Sequence, residues 1–234
     1  MHRWVFEPEP DDGGPPPTSP HRKTLHGLAV LPDASMIVAF HEGTALGRYD
    51  ACGRVMWRRP IAAHHSVTLD GPGHAWTIAD YATLTRVDVE TGEIVDEIRV
   101  DALAATAPGK WILTSRKRFH AGTGSRFSED PFHVNDVEAL PPEIAGAFPM
   151  FRAGDLLVSH RSGNLVYVLR PETREILWWM SDGKFAQHDP DWQPDGTIVL
   201  FDNNTDFGPS RVIRVDPATG THEVVVDGAA AGFY

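Results

Sequence analysis

The sequence predicts an all-β protein, a β-propeller of four-stranded blades, and three observations carry that prediction. From Leu25 onward the chain consists of short runs rich in Val, Ile, Leu, Trp and Thr, bounded by Gly, Asp, Pro and Asn, with no stretch that keeps helical spacing for long. These runs group into four similar units, each strand, turn, strand, turn, strand, tight turn, strand. The tight turn before the last strand recurs as Asp50 to Gly53, Asp88 to Gly92, Arg170 to Arg174 and Asp216 to Gly220. Three of these end in Gly, the residue suited to positive φ before a returning strand. A β-sandwich would not repeat one turn at one place in each unit, whereas propeller blades do.

In chain order, residues 1–24 form an arm whose segment EPEPDDGGPPPTSP is too rich in Pro, Gly and Asp to offset chain entropy by burial. The propeller domain is expected over 25–234. Its units open at LHGLAVLPDASMIVAF, HHSVTLDGPGHAWTIAD, HVNDVEALPPEI and QHDPDWQPDGTIVLFDNN. The third unit follows a polar, glycine-containing insertion from about Thr114 to Phe132, a length that in compact domains is commonly functional or disordered. A shorter insertion runs from Pro141 to Ala153. Four units are few for a closed ring, so the expectation is a truncated ring of the six-bladed type, its open blades covered by further chain or by a partner such as another copy.

Composition narrows the function classes. A formal net charge of -11, from 21 Lys+Arg against 32 Asp+Glu, opposes a phosphate-backbone footprint, so nucleic acid is not an expected partner. No apolar run approaches the length that crosses a bilayer as a helix, and the first residues lack the pattern of a secretion signal. The single cysteine, Cys52, excludes an intramolecular disulfide and any paired-cysteine metal motif. Twelve histidines are the unusual component, because imidazole serves as base, nucleophile or ligand near neutral pH.

The histidines fall in register. His26 precedes Pro32-Asp33 by the same six residues that separate His188 from Pro194-Asp195, and His65 takes the same position in the second unit. That position lies in the innermost strand. Asn135 holds it in the third unit, with His133 two residues earlier and therefore on the same face of a regular strand. Inner strands line a propeller's axis, so these residues are expected to converge, and Arg161, at the end of LLVSHR, should reach the same mouth. A guanidinium among imidazoles suits an anion with several oxygens, such as sulfate or phosphate. His64 is expected on the opposite face from His65, packing between blades, and His120 and His160 are assigned to loop or blade. Trp57, Trp76, Trp178, Trp179 and Trp192 are expected to fill the gaps between blades. Asp202, Asn203 and Asn204 carry oxygen ligands for a cation, but such clusters serve more often as turn formers, and no metal site is assigned.

The segments HHSVTLDGPGHAWT, DPFHVNDVEALP, LLVSHRSGNLVYVL and FAQHDPDWQPDGTIVLFDNNTDFGPSRVIRVD together resemble the arylsulfotransferase family that does not use the nucleotide sulfate donor. The resemblance extends from about Leu25 to the end. It implies a six-bladed propeller that moves a sulfuryl group from a phenolic sulfate ester to a phenol acceptor, without a cofactor. It further implies that His188 becomes transiently sulfated and that His133 and Arg161 hold the sulfate oxygens. His65, or failing it His64, would complete the site, and the repeat register adds Asn135 and His26, which with His64 are expected to bind substrate. Relatives are often exported to the periplasm, and the compartment of this chain is left open. The alternative is a non-catalytic propeller that binds or scaffolds, since the fold carries many functions. A quinone- or metal-dependent propeller enzyme ranks last, for want of an oxygen-rich cage in the sequence.

Overall fold

A computed structural model describes residues 25–40, 45–80, 82–105, 108–113, 132–183, 186–205 and 207–232. The arm over 1–24, His120 and the insertion up to residue 131 lie outside the described residues. The rest forms four antiparallel four-stranded sheets, each made of consecutive strands. The first comprises β1 (Leu25–Val30), β2 (Met36–Phe40), β3 (Leu46–Tyr49) and β4 (Val55–Arg59). The second comprises β5 (Ala63–Asp70), β6 (His74–Ala79), β7 (Thr83–Asp88) and β8 (Ile94–Arg99). The third has β9 (Val134–Ala139), β10 (Leu156–His160), β11 (Leu165–Arg170) and β12 (Glu175–Met180). The fourth has β13 (His188–Trp192), β14 (Ile198–Asp202), β15 (Arg211–Asp216) and β16 (Thr221–Asp227). These are the four blades that the repeat predicts.

The blade turns form as the sequence requires. Gly53, Gly92 and Gly220 take φ of 80°, 70° and 71°, and Arg174 takes 59° where the third turn lacks glycine. Asp50, Asp88 and Asp216 each accept main-chain N–H groups across their turns. Those N–H groups hold the Asp50 and Asp88 carboxyls below the usual carboxylate range, and the Thr219 hydroxyl, followed by the Ala218 N–H, does the same for Asp216.

Contacts divide the chain into two compact units, Met1–Asp80 with Thr85–Asp96, and Tyr81–Leu84 with Glu97–Tyr234. The first is centred on the apolar layer where the first two sheets meet, with Ile37, Leu46, Trp57, Ala63, Val67 and Val87 among its members. Trp57 spans these sheets, its indole N–H donating to the Val89 carbonyl at 2.9 Å. The second unit packs Leu157, Val166, Val168, Trp192, Leu200 and Ile213 between the third and fourth sheets. The insertion from Pro141 to Ala153 adds Phe148 and Phe151 to this core, with ring centroids 4.8 and 5.5 Å from Trp192.

Trp192 is buried in the second core and Trp178 is half-buried against it, as expected of large aromatics between sheets, and Trp76 is also buried. Trp179 departs from that expectation, with 46% of its surface exposed. The register shift between Val168 and Leu169 in the β11–β12 pair falls beside Trp178, and alternation then leaves the neighbouring Trp179 outside the core.

The inner strands are not regular. Each carries a register irregularity at the end that bears the candidate residues: between Leu25 and Gly27 in β1, between His64 and Val67 in β5, opposite Ser159 and His160 in β9, and between His188 and Asp191 in β13. A bulge re-aims side chains that simple alternation would place elsewhere. Two sequence expectations fail for this reason. His133 precedes β9 and has φ of 47°, so strand alternation with Asn135 does not place it. His65 has φ of 59°, and His64 and His65 turn toward each other instead of to opposite faces.

Candidate functional site

In the second unit the structure brings together His133, Arg161 and His188. Arg161 begins the short 3-10 turn Arg161–Gly163 at the end of β10, and its main-chain N–H donates to the His133 carbonyl at 3.0 Å. His188 opens β13 and is half-buried. Withdrawal from water lowers its pKa below the ordinary 6.5, and the Arg161 guanidinium is the next cause. His133 adds a smaller push in the same direction, against the Ala186 carbonyl and Asp189, which favour the charged ring. The imidazole is therefore held neutral at neutral pH.

Its tautomer follows from one contact. His188 Nδ1 lies 3.0 Å from the Ala186 carbonyl oxygen, which only accepts, so Nδ1 carries the proton and Nε2 the lone pair. Asn203 Nδ2 donates to the same carbonyl at 2.9 Å and lies 3.2 Å from Nδ1, restricting rotation of the ring. The segment is sharply contoured, because Ala186 and Asp189 on either side have φ of 58° and 54°. Non-glycine residues enter this left-handed region at a cost, which functional segments often bear.

Asn135, named above beside the site, is buried, and its amide donates to the Gln187 carbonyl at 2.9 Å. Its described contact therefore ties β9 to the residue before His188. His160 is a buried blade residue at the end of β10, its ring 5.2 Å from that of Phe132. Asp202 is buried and accepts from Arg211 Nε at 2.9 Å, and it also accepts the Asn204 N–H at 3.0 Å. Asn204 in turn donates to the Pro209 carbonyl. Asp202 and Asn204 thus act as turn and loop formers, while Asn203 belongs to His188.

In the first unit His26, His64 and His65 form a second cluster. The His26 and His65 ring centroids are 3.9 Å apart, and those of His64 and His65 are 4.8 Å apart. His64 Nε2 donates to the Asp80 carbonyl, which leaves its Nδ1 to accept from His65 Nδ1 at 2.6 Å. That relay fixes His65 with its lone pair on Nε2, the tautomer that His188 also adopts. Gly27 lies against this strand: a Cβ there would stand 2.7 Å from the His65 carbonyl oxygen.

Sequence reasoning missed Gln187, Asn164 and Asn203 as contributors to the His188 segment. Their signals were faint. An Asn after Ser-Gly tolerates positive φ, and Asn164 has φ of 52°. Nothing in the sequence, however, announces the residue that its side chain reaches.

Three solved structures are similar to this chain. A virginiamycin B lyase from Staphylococcus aureus is 11% identical, covering 88% of this chain and 57% of its own, with a TM-score of 0.56. A hydrazine synthase from Kuenenia stuttgartiensis is 12% identical, covering 91% and 53%, with a TM-score of 0.58. BamB from Moraxella catarrhalis is 15% identical, covering 86% and 49%, with a TM-score of 0.45. The chain thus spans about half the length of the structures it matches. The first two likenesses support the fold alone, that of a β-propeller with four-stranded blades. No curated protein matches the sequence. A family model described as arylsulfotransferase (ASST) matches residues 27–227, which takes in the four sheets from Gly27 onward and every candidate residue except His26. The chain belongs to the arylsulfotransferase family.

Proposed function

We propose that this protein is a sulfotransferase that moves a sulfuryl group from a phenolic sulfate ester to a phenol acceptor by way of a sulfated His188. The observation that carries the proposal is the environment of His188: a half-buried imidazole, with its proton fixed on Nδ1 by the Ala186 carbonyl, beside Arg161 and His133. In the first step the Nε2 lone pair forms a bond to sulfur while the sulfur–oxygen bond to the aryl group breaks. The aryloxide leaves with the electron pair. Positive charge that develops on the ring is stabilised by the Nδ1–H to Ala186 hydrogen bond.

In the second step the acceptor hydroxyl loses its proton to a base, a role we assign to His133, and its oxygen attacks sulfur. The nitrogen–sulfur bond breaks and its electron pair returns to Nε2. Arg161 offsets charge on the sulfuryl oxygens through both transfers. A covalent intermediate divides one difficult displacement into two easier ones. His26, His64 and His65 belong to the first unit, and their part in the chemistry rests on the repeat register for His26 and His65 and on the resemblance for His65 and His64.

Steady-state kinetics test the two-step route. With 4-nitrophenyl sulfate as donor and a second phenol as acceptor, parallel double-reciprocal lines are expected. Lines that intersect would mean direct transfer in a ternary complex and would remove the intermediate.

A further inference from the structure

Gln187 precedes His188, and its side chain is fully buried. Its Nε2 group lies 3.1 Å from Ser159 Oγ, 3.3 Å from the His160 carbonyl and 3.0 Å from the Leu165 carbonyl. These partners flank the 3-10 turn that starts at Arg161, so one amide grips the backbone on both sides of the arginine. The Gln187 carbonyl also takes the Asn135 amide, two residues beyond His133. Asn164 ends the same turn, its N–H donating to the Arg161 carbonyl at 3.1 Å. The Asn164 Oδ1 atom accepts the Ala186 N–H at 2.9 Å. Ala186 is the residue whose carbonyl fixes the His188 tautomer.

We infer that Gln187 and Asn164 are positioning residues, a buried brace that sets the separation between the His188 imidazole and Arg161. The Nε2 group satisfies buried acceptors, and the other half of the amide carries a cost. The Oε1 atom of Gln187 has no hydrogen-bond partner among the described residues, a cost that an apolar side chain would avoid. What the polar residue supplies is its N–H groups, each directed at backbone that carries the site. Asn164 supplies the matching acceptor from the other side of the turn. The two act through His188 and Arg161 and touch no reacting atom. The kinetic consequence rests on the proposed transfer reaction; the geometric one does not.

The test uses the full chain with Asn164→Gly and Gln187→Leu. Glycine keeps the left-handed backbone at position 164 and removes only the acceptor. Leucine keeps most of the volume at 187 and removes the donors. The titration of His188 is followed by NMR on histidine-labelled protein, with its signal identified by loss in His188→Ala. Loosening the brace admits water and lets Arg161 withdraw, so each variant should titrate about 0.5–1 unit higher than the parent. For transfer, kcat should fall about 10–100-fold with KM within about threefold, the mark of misplacement rather than lost affinity. A reduced folded fraction would scale the amplitude of the titration without moving its midpoint. If Gln187→Leu does not fold, Asn164→Gly decides. A folded Asn164→Gly protein whose His188 titrates as the parent does would overturn the brace. A parent chain without transfer activity would instead sink the proposed reaction, and the titration would still decide the brace.

Discussion

The main-chain N–H of Arg161 donates to the carbonyl of His133 at 3.0 Å, which joins the end of β10 to the residue ahead of β9. That bond keeps a guanidinium and an imidazole together next to His188, where both disfavour its protonation. A neutral imidazole is the nucleophilic form, so the transfer rate should rise with pH through the depressed pKa of His188 and level off above it. Arg161→Met removes the larger of the two electrostatic causes. The rising limb should move to higher pH, and turnover should fall about 10²–10³-fold with the loss of charge stabilisation. A pH–rate profile on both proteins checks this, and an unmoved limb would separate Arg161 from His188.

Glu138 ties β9 to β13 by accepting the Trp192 N–H at 3.1 Å. Withdrawal from water raises its pKa from 4.5 to about 7, with Asp191 and Asp189 adding to the rise. Between those values the folded chain holds a proton that the unfolded chain has released, so stability falls as pH increases through that window. Glu138→Gln keeps an acceptor and removes the charge. It should stabilise the protein by about 1–2 kcal/mol at pH 8, a figure discounted for partial exposure, and by little at pH 5. Urea denaturation at the two pH values measures the difference.

Asp155 has no exposed side-chain surface and receives both Nε and Nη2 of Arg170, at 2.9 and 2.8 Å. Arg170→Met leaves that carboxylate buried without its charged partner, with the Arg152 N–H still donating to it at 2.9 Å, which should cost about 3 kcal/mol. A loss under 1 kcal/mol by chemical denaturation would show that the pair is dispensable.

The placement of His26, His65 and His188 in the first strand of their sheets was legible, because the turns that follow them repeat. The bulges were not. His65, His133 and Asp189 occupy left-handed backbone without being glycine, and nothing in their side chains marks that conformation in advance. This is why the sequence put His64 and His65 on opposite faces although they share a hydrogen bond. Asn203 was legible as a turn former, but its contact with His188 depends on where β14 ends relative to β13. Trp179 looked like its buried neighbours because hydrophobicity does not show on which side of a register shift a residue lies.

Gly27 is a position where the need for glycine is set by contact rather than by φ. A methyl group there would stand 2.7 Å from the His65 carbonyl oxygen, 2.9 Å from the Ser66 carbonyl carbon and 3.0 Å from the Val67 nitrogen, all of them backbone. Gly27→Ala should therefore destabilise the protein by about 1–3 kcal/mol and disturb the His26–His65 ring contact. Thermal melting and histidine chemical shifts report the two effects.

The most direct measurement is to expose the protein to 4-nitrophenyl sulfate without acceptor, quench it, and map the sulfuryl label by peptide mass spectrometry. The expected result is label on the peptide that contains His188, discharged when a phenol is added and absent from His188→Ala. Undiminished transfer to phenol by the His188→Ala protein would contradict the proposed mechanism.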